Sequence, residues 1–200
     1  MTIKRFKCKD TEALFHGKRV RRWVNVERPA LRKIEQLDWS SVLEDLLVPP
    51  GNQLEALRGN RKGQHSIRVN DQWRVCFVWT AEGPNDVEIV DCHCRSYPMR
   101  TVRTVAPVSP GEMLNEEFLK PLGLTKYRLA KDIGVPAQRI GDIVAGKRAI
   151  TADTDLRLCR YFGLSDGWWL RGQVNYDTAI TREAMGETLA RISRCELLAS

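Results

Sequence analysis

Two hundred residues with 32 Lys and Arg against 25 Asp and Glu form a basic chain of ordinary apolar content, enough for one large domain or two small ones. No apolar run approaches the roughly 18 residues of a membrane-spanning helix, and no apolar stretch backs the basic start Met1-Thr2-Ile3-Lys4-Arg5-Phe6-Lys7; a cytoplasmic protein away from membranes is expected. The six cysteines include no C-x-x-C pair, and on a strand Cys92-His93-Cys94 would point its His away from both sulfurs, so neither a disulfide scaffold nor a bound metal or other cofactor is expected.

In chain order, alternation over residues 3–8 predicts a strand, and residues 10–16 a short helix stopped by Gly17. Apolar residues at Trp23, Val26, Ala30, Leu31, Ile34 and Leu37 predict a helix with Pro29 in its first turn. Residues 40–47 predict another, ended by Pro49-Pro50-Gly51. The period then falls to two. Residues 66–69 and 73–79 predict a hairpin around Asn70-Asp71-Gln72, and Gly83-Pro84-Asn85-Asp86 a turn into a third strand at 87–91. This is an α+β pattern, a small antiparallel sheet with helices, and residues 1–94 are expected to fold on a core of Phe6, Leu31, Ile34, Ile67, Val75, Phe77, Ile89 and Val90.

Residues 95–108 lack a period, contain Pro98 and Pro107, and predict a linker; Met99 within them reads like the first residue of a second protein. Ser109-Pro110-Gly111-Glu112 is a helix start with Ser as cap and Pro in first place. Helices are predicted at 112–120, 126–134, 137–145, 151–162 and 165–175, an all-α domain over 109–178 followed by a helical tail, 179–200. Trp168 and Trp169 predict core or dimer contacts.

The run from Leu129 to Ile143 carries helix-turn-helix spacing. Ala130 lets two helices cross closely, Gly134 permits a left-handed turn, and Val135, Ile140 and Ile143 bury the second helix. Gln138, Arg139 and Asp142 are left on the outer face to read base edges, and Lys147 and Arg148 suit phosphates.

Residues 99–177 resemble the antidote proteins of HigBA-type toxin–antitoxin operons, in the Xre/Cro-like repressor superfamily. The matching stretches include Ser109-Pro110-Gly111-Glu112-Met113-Leu114, Glu117-Phe118-Leu119-Lys120-Pro121-Leu122-Gly123-Leu124 and Arg160-Tyr161-Phe162-Gly163. The resemblance implies an autorepressor that binds operator DNA as a homodimer. Residues 1–93 resemble the HigB toxins of the RelE/ParE superfamily through Arg58-Gly59-Asn60-Arg61-Lys62-Gly63, Ser66-Ile67-Arg68-Val69-Asn70-Asp71-Gln72-Trp73-Arg74 and Val87-Glu88-Ile89-Val90-Asp91-Cys92-His93. That likeness implies cleavage of mRNA on the ribosome.

Such cleavage needs proton removal from a 2′-hydroxyl, stabilisation of a phosphorane-like charge and protonation of the leaving oxygen. Arg58, Arg61, Lys62, Arg68 and Arg74 could hold the phosphate; His93 is the natural proton carrier, and Asp91 could orient it or share in the transfer. The family commonly ends in Asp-Tyr-His, where this chain has Cys92 in the middle. Two readings stay open: a self-neutralised toxin–antitoxin fusion, or a DNA-binding repressor whose toxin-like domain has lost catalysis.

Overall fold

The structure, a computed structural model, describes residues 2–91 and 101–193, with the backbone alone at 101–104. Cys92, His93, Cys94, Met99 and the last residues of the expected tail lie outside the described residues. Four strands, β2 (Glu55–Ala56), β3 (His65–Arg68), β4 (Trp73–Thr80) and β5 (Gly83–Asp91), form an antiparallel meander in that order, preceded by α1 (Lys9–Phe15), β1 (Lys18–Val20) and α2 (Glu27–Trp39). The third strand starts earlier than expected. Thr80 pairs with Gly83, so the turn falls at Ala81 and Glu82, held by a 2.7 Å bond from Thr80 Oγ1 to the Gly83 carbonyl.

Register sorts the side chains. Ile67 faces Val75 and Val75 faces Ile89, and all three turn inward with Phe77 and Val87 against Ala30, Ile34 and Leu37 of α2. Val90 pairs with Arg74 and therefore faces outward, which removes it from the expected core. Residues 3–8 form no strand. Their alternation is real, but only Phe6 makes a bridge, parallel to Val87, while the Lys4 and Lys7 amides reach the Pro84 and Val87 carbonyls. The residues expected to link the halves contain β6 (Thr101–Thr104), which pairs antiparallel with β1. Residues 43–47 close into a tight 3₁₀ turn rather than a full helix.

The helical half runs through α3 (Pro110–Met113), a π-helical stretch (Leu114–Leu119), α4 (Lys120–Leu122), α5 (Lys126–Asp132), α6 (Ala137–Val144), α7 (Ala152–Phe162), α8 (Trp168–Ala184) and α9 (Gly186–Ala190). Ser109 caps α3 as expected, its hydroxyl accepting the Glu112 amide at 3.1 Å. Trp168 and Trp169 are fully buried with Phe118, Met113 and Leu114. Leu31 and Trp39, although they belong to α2, lie in this second core rather than in the sheet's. Each such buried side chain contributes roughly 1.5–3 kcal/mol. Among the described residues no helix is long and apolar enough to cross a membrane.

Candidate nucleic-acid interfaces and the contact between the halves

Because directly opposed residues of an antiparallel pair share a face, Arg68 and Arg74, partners across β3 and β4, emerge together on the side of the sheet away from α2. Two cations so placed repel, and each has found its own acceptors. Arg68 pairs with Asp71. Arg74 Nε donates to Ser66 Oγ at 2.9 Å, and its Nη2 donates to the Gln53 carbonyl at 2.8 Å and lies 3.3 Å from Glu55. Arg61 reaches the same face, 2.9 Å from Glu88, the residue of β5 opposite Cys76. Arg58 and Lys62 flank the Gly59–Arg61 turn and are exposed. Asp91 is opposite Trp73, so alternation gives it the other face, where Gln72 Nε2 donates to it at 2.9 Å. The structure thus brings Arg61, Arg68 and Arg74 together, sets Arg58 and Lys62 beside them, and separates Asp91 from them.

The helix-turn-helix forms as the spacing predicts. Gly134 takes φ +68° between α5 and α6, a conformation costly for residues with a Cβ. Ile140 and Ile143 are buried beneath α6, while Gln138 is exposed and Asp142 partly so. Arg139 does not project freely. Its Nη1 lies 2.5 Å from Asp153 of α7, which Arg157 also holds at 2.9 Å. Lys147 and Arg148 are exposed just past α6.

A third group of charged residues was not foreseen. Arg28, Arg32 and Lys33 line the face of α2 turned toward the helical half. Arg28 Nε donates to Glu112 at 2.9 Å; Arg32 bonds Glu117 at 2.7 Å and lies 3.2 Å from Glu112; Lys33 bonds Glu117 too. The last pair is nearly sealed, with side chains 5% and 8% exposed. Burial pulls the Lys33 ammonium below the usual lysine range. Burial alone would raise the Glu117 carboxyl, but the Lys33 charge and the bonds from Arg32 and Lys33 outweigh it and hold it below the carboxylate range. Farther along, Trp39 packs edge-on against Trp168 at 5.0 Å, Asp45 accepts the Ser165 amide and hydroxyl at 2.7 Å each, and Asn175 donates to Asp38 at 2.8 Å. The available signal was charge spacing: three cations within one and a half turns of an otherwise amphipathic helix, matched by Glu112 and Glu117 five residues apart.

The sequence matches the family described as the RelE-like toxin of the type II toxin–antitoxin system HigB over residues 4–93, and a helix-turn-helix family over residues 116–169. Toxin HigB-1 of Vibrio cholerae serotype O1 is 42% identical over 76 residues, 37% of this chain and 80% of that protein. Antitoxin HigA-1 of the same organism is 36% identical over 81 residues, 40% of this chain and 76% of that protein. Virulence-associated protein I of Dichelobacter nodosus is 49% identical over 76 residues, 38% of this chain and 70% of that protein.

Proposed function

The chain belongs to the HigBA toxin–antitoxin family, with a HigB-like toxin and a HigA-like helix-turn-helix antitoxin in one polypeptide, and we propose that it is a self-neutralised ribosome-dependent mRNA endoribonuclease that represses transcription from its own operator. The toxin is residues 1–94, the antitoxin 109–178, joined through 95–108, and the site of action is the cytoplasm. The observation that carries the reading is the sealed contact between α2 and the helical half, which buries Lys33 against Glu117 while leaving the arginine face and α6 turned elsewhere.

In this reading Arg68 and Arg74 grip the scissile phosphate, Arg61, Arg58 and Lys62 hold the neighbouring backbone, and His93 moves the proton, with Asp91 acting through it. The ribosome supplies the orientation that a site so poor in acid–base groups lacks. Gln138 and Asp142 meet base edges, Lys147 and Arg148 meet phosphates, and Arg139 either shifts from Asp153 to DNA or braces α6.

Operator recognition calls for a homodimer, and α8–α9 supports one. Val174, Thr178, Thr181 and Met185 recur at steps of four and three along α8 to its cap, and Thr188 and Ile192 carry the spacing through α9 and just past it, so the steps run alike from either end. Val174, Met185 and Ile192 are exposed. Two copies packed antiparallel would set each Val174 against the other's Ile192 and bring each Asp177 near the other's Arg191.

The decisive experiment expresses residues 1–94 with and without residues 99–200 and maps cuts in translated mRNA by primer extension. Growth arrest with cuts, relieved by the second fragment or by fusion, is the expected result. Absence of cuts, with operator binding retained by the full chain, would favour the other reading, a repressor whose toxin-like domain has lost catalysis. That reading draws on Cys92 and on the occupation of Arg61, Arg68 and Arg74 by Glu88, Asp71 and Glu55.

A further inference from the structure

The loop over residues 48–54 joins the 43–47 turn to β2. Asn52 is fully buried in it. Its side-chain oxygen accepts from Lys33 Nζ at 2.6 Å, and its side-chain amide donates to the Leu46 carbonyl at 2.9 Å. Its backbone carbonyl takes the Arg68 amide at 2.6 Å. The next residue, Gln53, sits at φ +45°, in the left-handed region that a side chain makes costly. The Gln53 carbonyl, aimed by that conformation, holds Arg74 Nη2 at 2.8 Å. With Lys33 bonded to Glu117, an unbroken series of contacts runs from the antitoxin half to the arginine face: Glu117, Lys33, Asn52, Gln53, Arg74.

We propose that Asn52 is a positioning residue through which Glu117 keeps Arg74 withdrawn, its guanidinium spent on Gln53, Ser66 and Glu55. The inference rests on the reading of Arg74 as a phosphate-holding residue and names how that residue is regulated. A buried Lys33 without Glu117 is an uncompensated charge, and it moves toward water rather than stay. Asn52 then keeps its bond to Leu46 but loses the one from Lys33, and with it part of the anchor that keeps Gln53 left-handed. Gln53 relaxes to an ordinary conformation, its carbonyl leaves Arg74, and the Nη2 donor so freed turns to a phosphate, for which a guanidinium is a strong charged donor. The antitoxin half silences the arginine from the opposite face of the sheet, without covering it.

The test reads the full chain by nuclear magnetic resonance, with no RNA present. Glu117→Gln should shift the Arg74 side-chain Nε–H signal and speed exchange of the Arg68 backbone amide by about tenfold, since that amide is protected by Asn52. Glu112→Gln, which breaks the neighbouring pair with Arg28, should move neither. In an Asn52→Ala background Glu117→Gln should add nothing to the Arg74 shift. Equal responses to Glu117→Gln and Glu112→Gln, or an undiminished Glu117 effect without Asn52, would overturn the proposal. Should Glu117→Gln fail to fold, Lys33→Met with Glu117→Met cuts the same link without leaving a lone charge, and its Arg68 and Arg74 signals decide in the same way. A chain that passes this test and never cuts RNA refutes the ribonuclease reading and leaves the coupling standing.

Discussion

Gly172 of α8 lies flat on the indole of Trp39 at the end of α2, so close that a Cβ there would stand 2.7 Å from three ring carbons. Neither side can give way easily. Trp39 is fully buried, its Nε1 donates to Glu35 at 3.0 Å, and its ring meets Trp168 on another side. Gly172→Ala should therefore wedge the halves apart and cost about 1–3 kcal/mol, the range for overpacking a filled core. Thermal unfolding followed by tryptophan fluorescence measures it. A melting temperature equal to that of the parent would mean that the two indoles are not pinned.

Glu35 titrates far from its ordinary value. Burial, reinforced by Asp38, pushes its carboxyl up to about 8, against the opposing bond from Trp39. A carboxyl whose folded pKa exceeds its unfolded one costs nothing below about pH 4.5. Its penalty grows as pH rises and is complete above about pH 8. Each unit of that interval is worth roughly 1.4 kcal/mol. Glu35→Gln keeps an acceptor for Trp39 and removes the charge. The variant should gain on the parent steadily from pH 5 to pH 8 in melting experiments. Parallel curves for the two proteins would show that Glu35 is ionised inside the fold.

On operator DNA, Gln138→Ala should flatten sequence preference at a cost of about 1–3 kcal/mol, the worth of a bidentate base contact. Lys147→Ala and Arg148→Ala should weaken binding to all sequences alike and lower the salt slope by roughly one unit each. Mobility-shift titrations at several salt concentrations separate the two behaviours. If Gln138→Ala lost affinity equally for operator and random duplex, α6 would not be the reading helix.

For the homodimer, Met185→Glu puts like charges near the centre of the antiparallel seam. Sedimentation should show a monomer where the parent is a dimer, with unchanged melting of the helical core around Trp168 and Trp169. A Met185→Glu protein that stays dimeric would place the second copy elsewhere.

Local signals were legible and long-range ones were not. α5 and α6 could be read because a turn residue, Gly134, and buried positions at Ile140 and Ile143 lie within a few residues of each other. The β1–β6 ladder could not, because strands of three and four residues carry too little pattern to name a partner so far along the chain. Periodicity showed that Leu31 is buried but was silent on where. α2 has apolar side chains on two flanks, one for each core, and only the packed structure assigns them. The arginines of the candidate site were recognisable by residue type. Their partners, Glu55, Asp71 and Glu88, were set by strand register and turn geometry, and so was the parting of Asp91 from Arg74.

The strand Thr101–Thr104 changes what the covalent join is for. A protease that cut the chain anywhere between Asp91 and Thr101 would leave β6 zipped to β1 and Glu112 still on Arg28. The nicked product would hold together as two pieces, so the peptide link adds little to the grip between them. It governs dosage instead. A ribosome that reads the message from Met1 through to Ser200 delivers one copy of each half, and only a start at Met99 would make the second without the first. If the chain neutralises itself as proposed, departure from one-to-one requires destruction of the folded helical half within an existing complex, and the stability of that half, rather than the rate of its synthesis, becomes the quantity on which release depends.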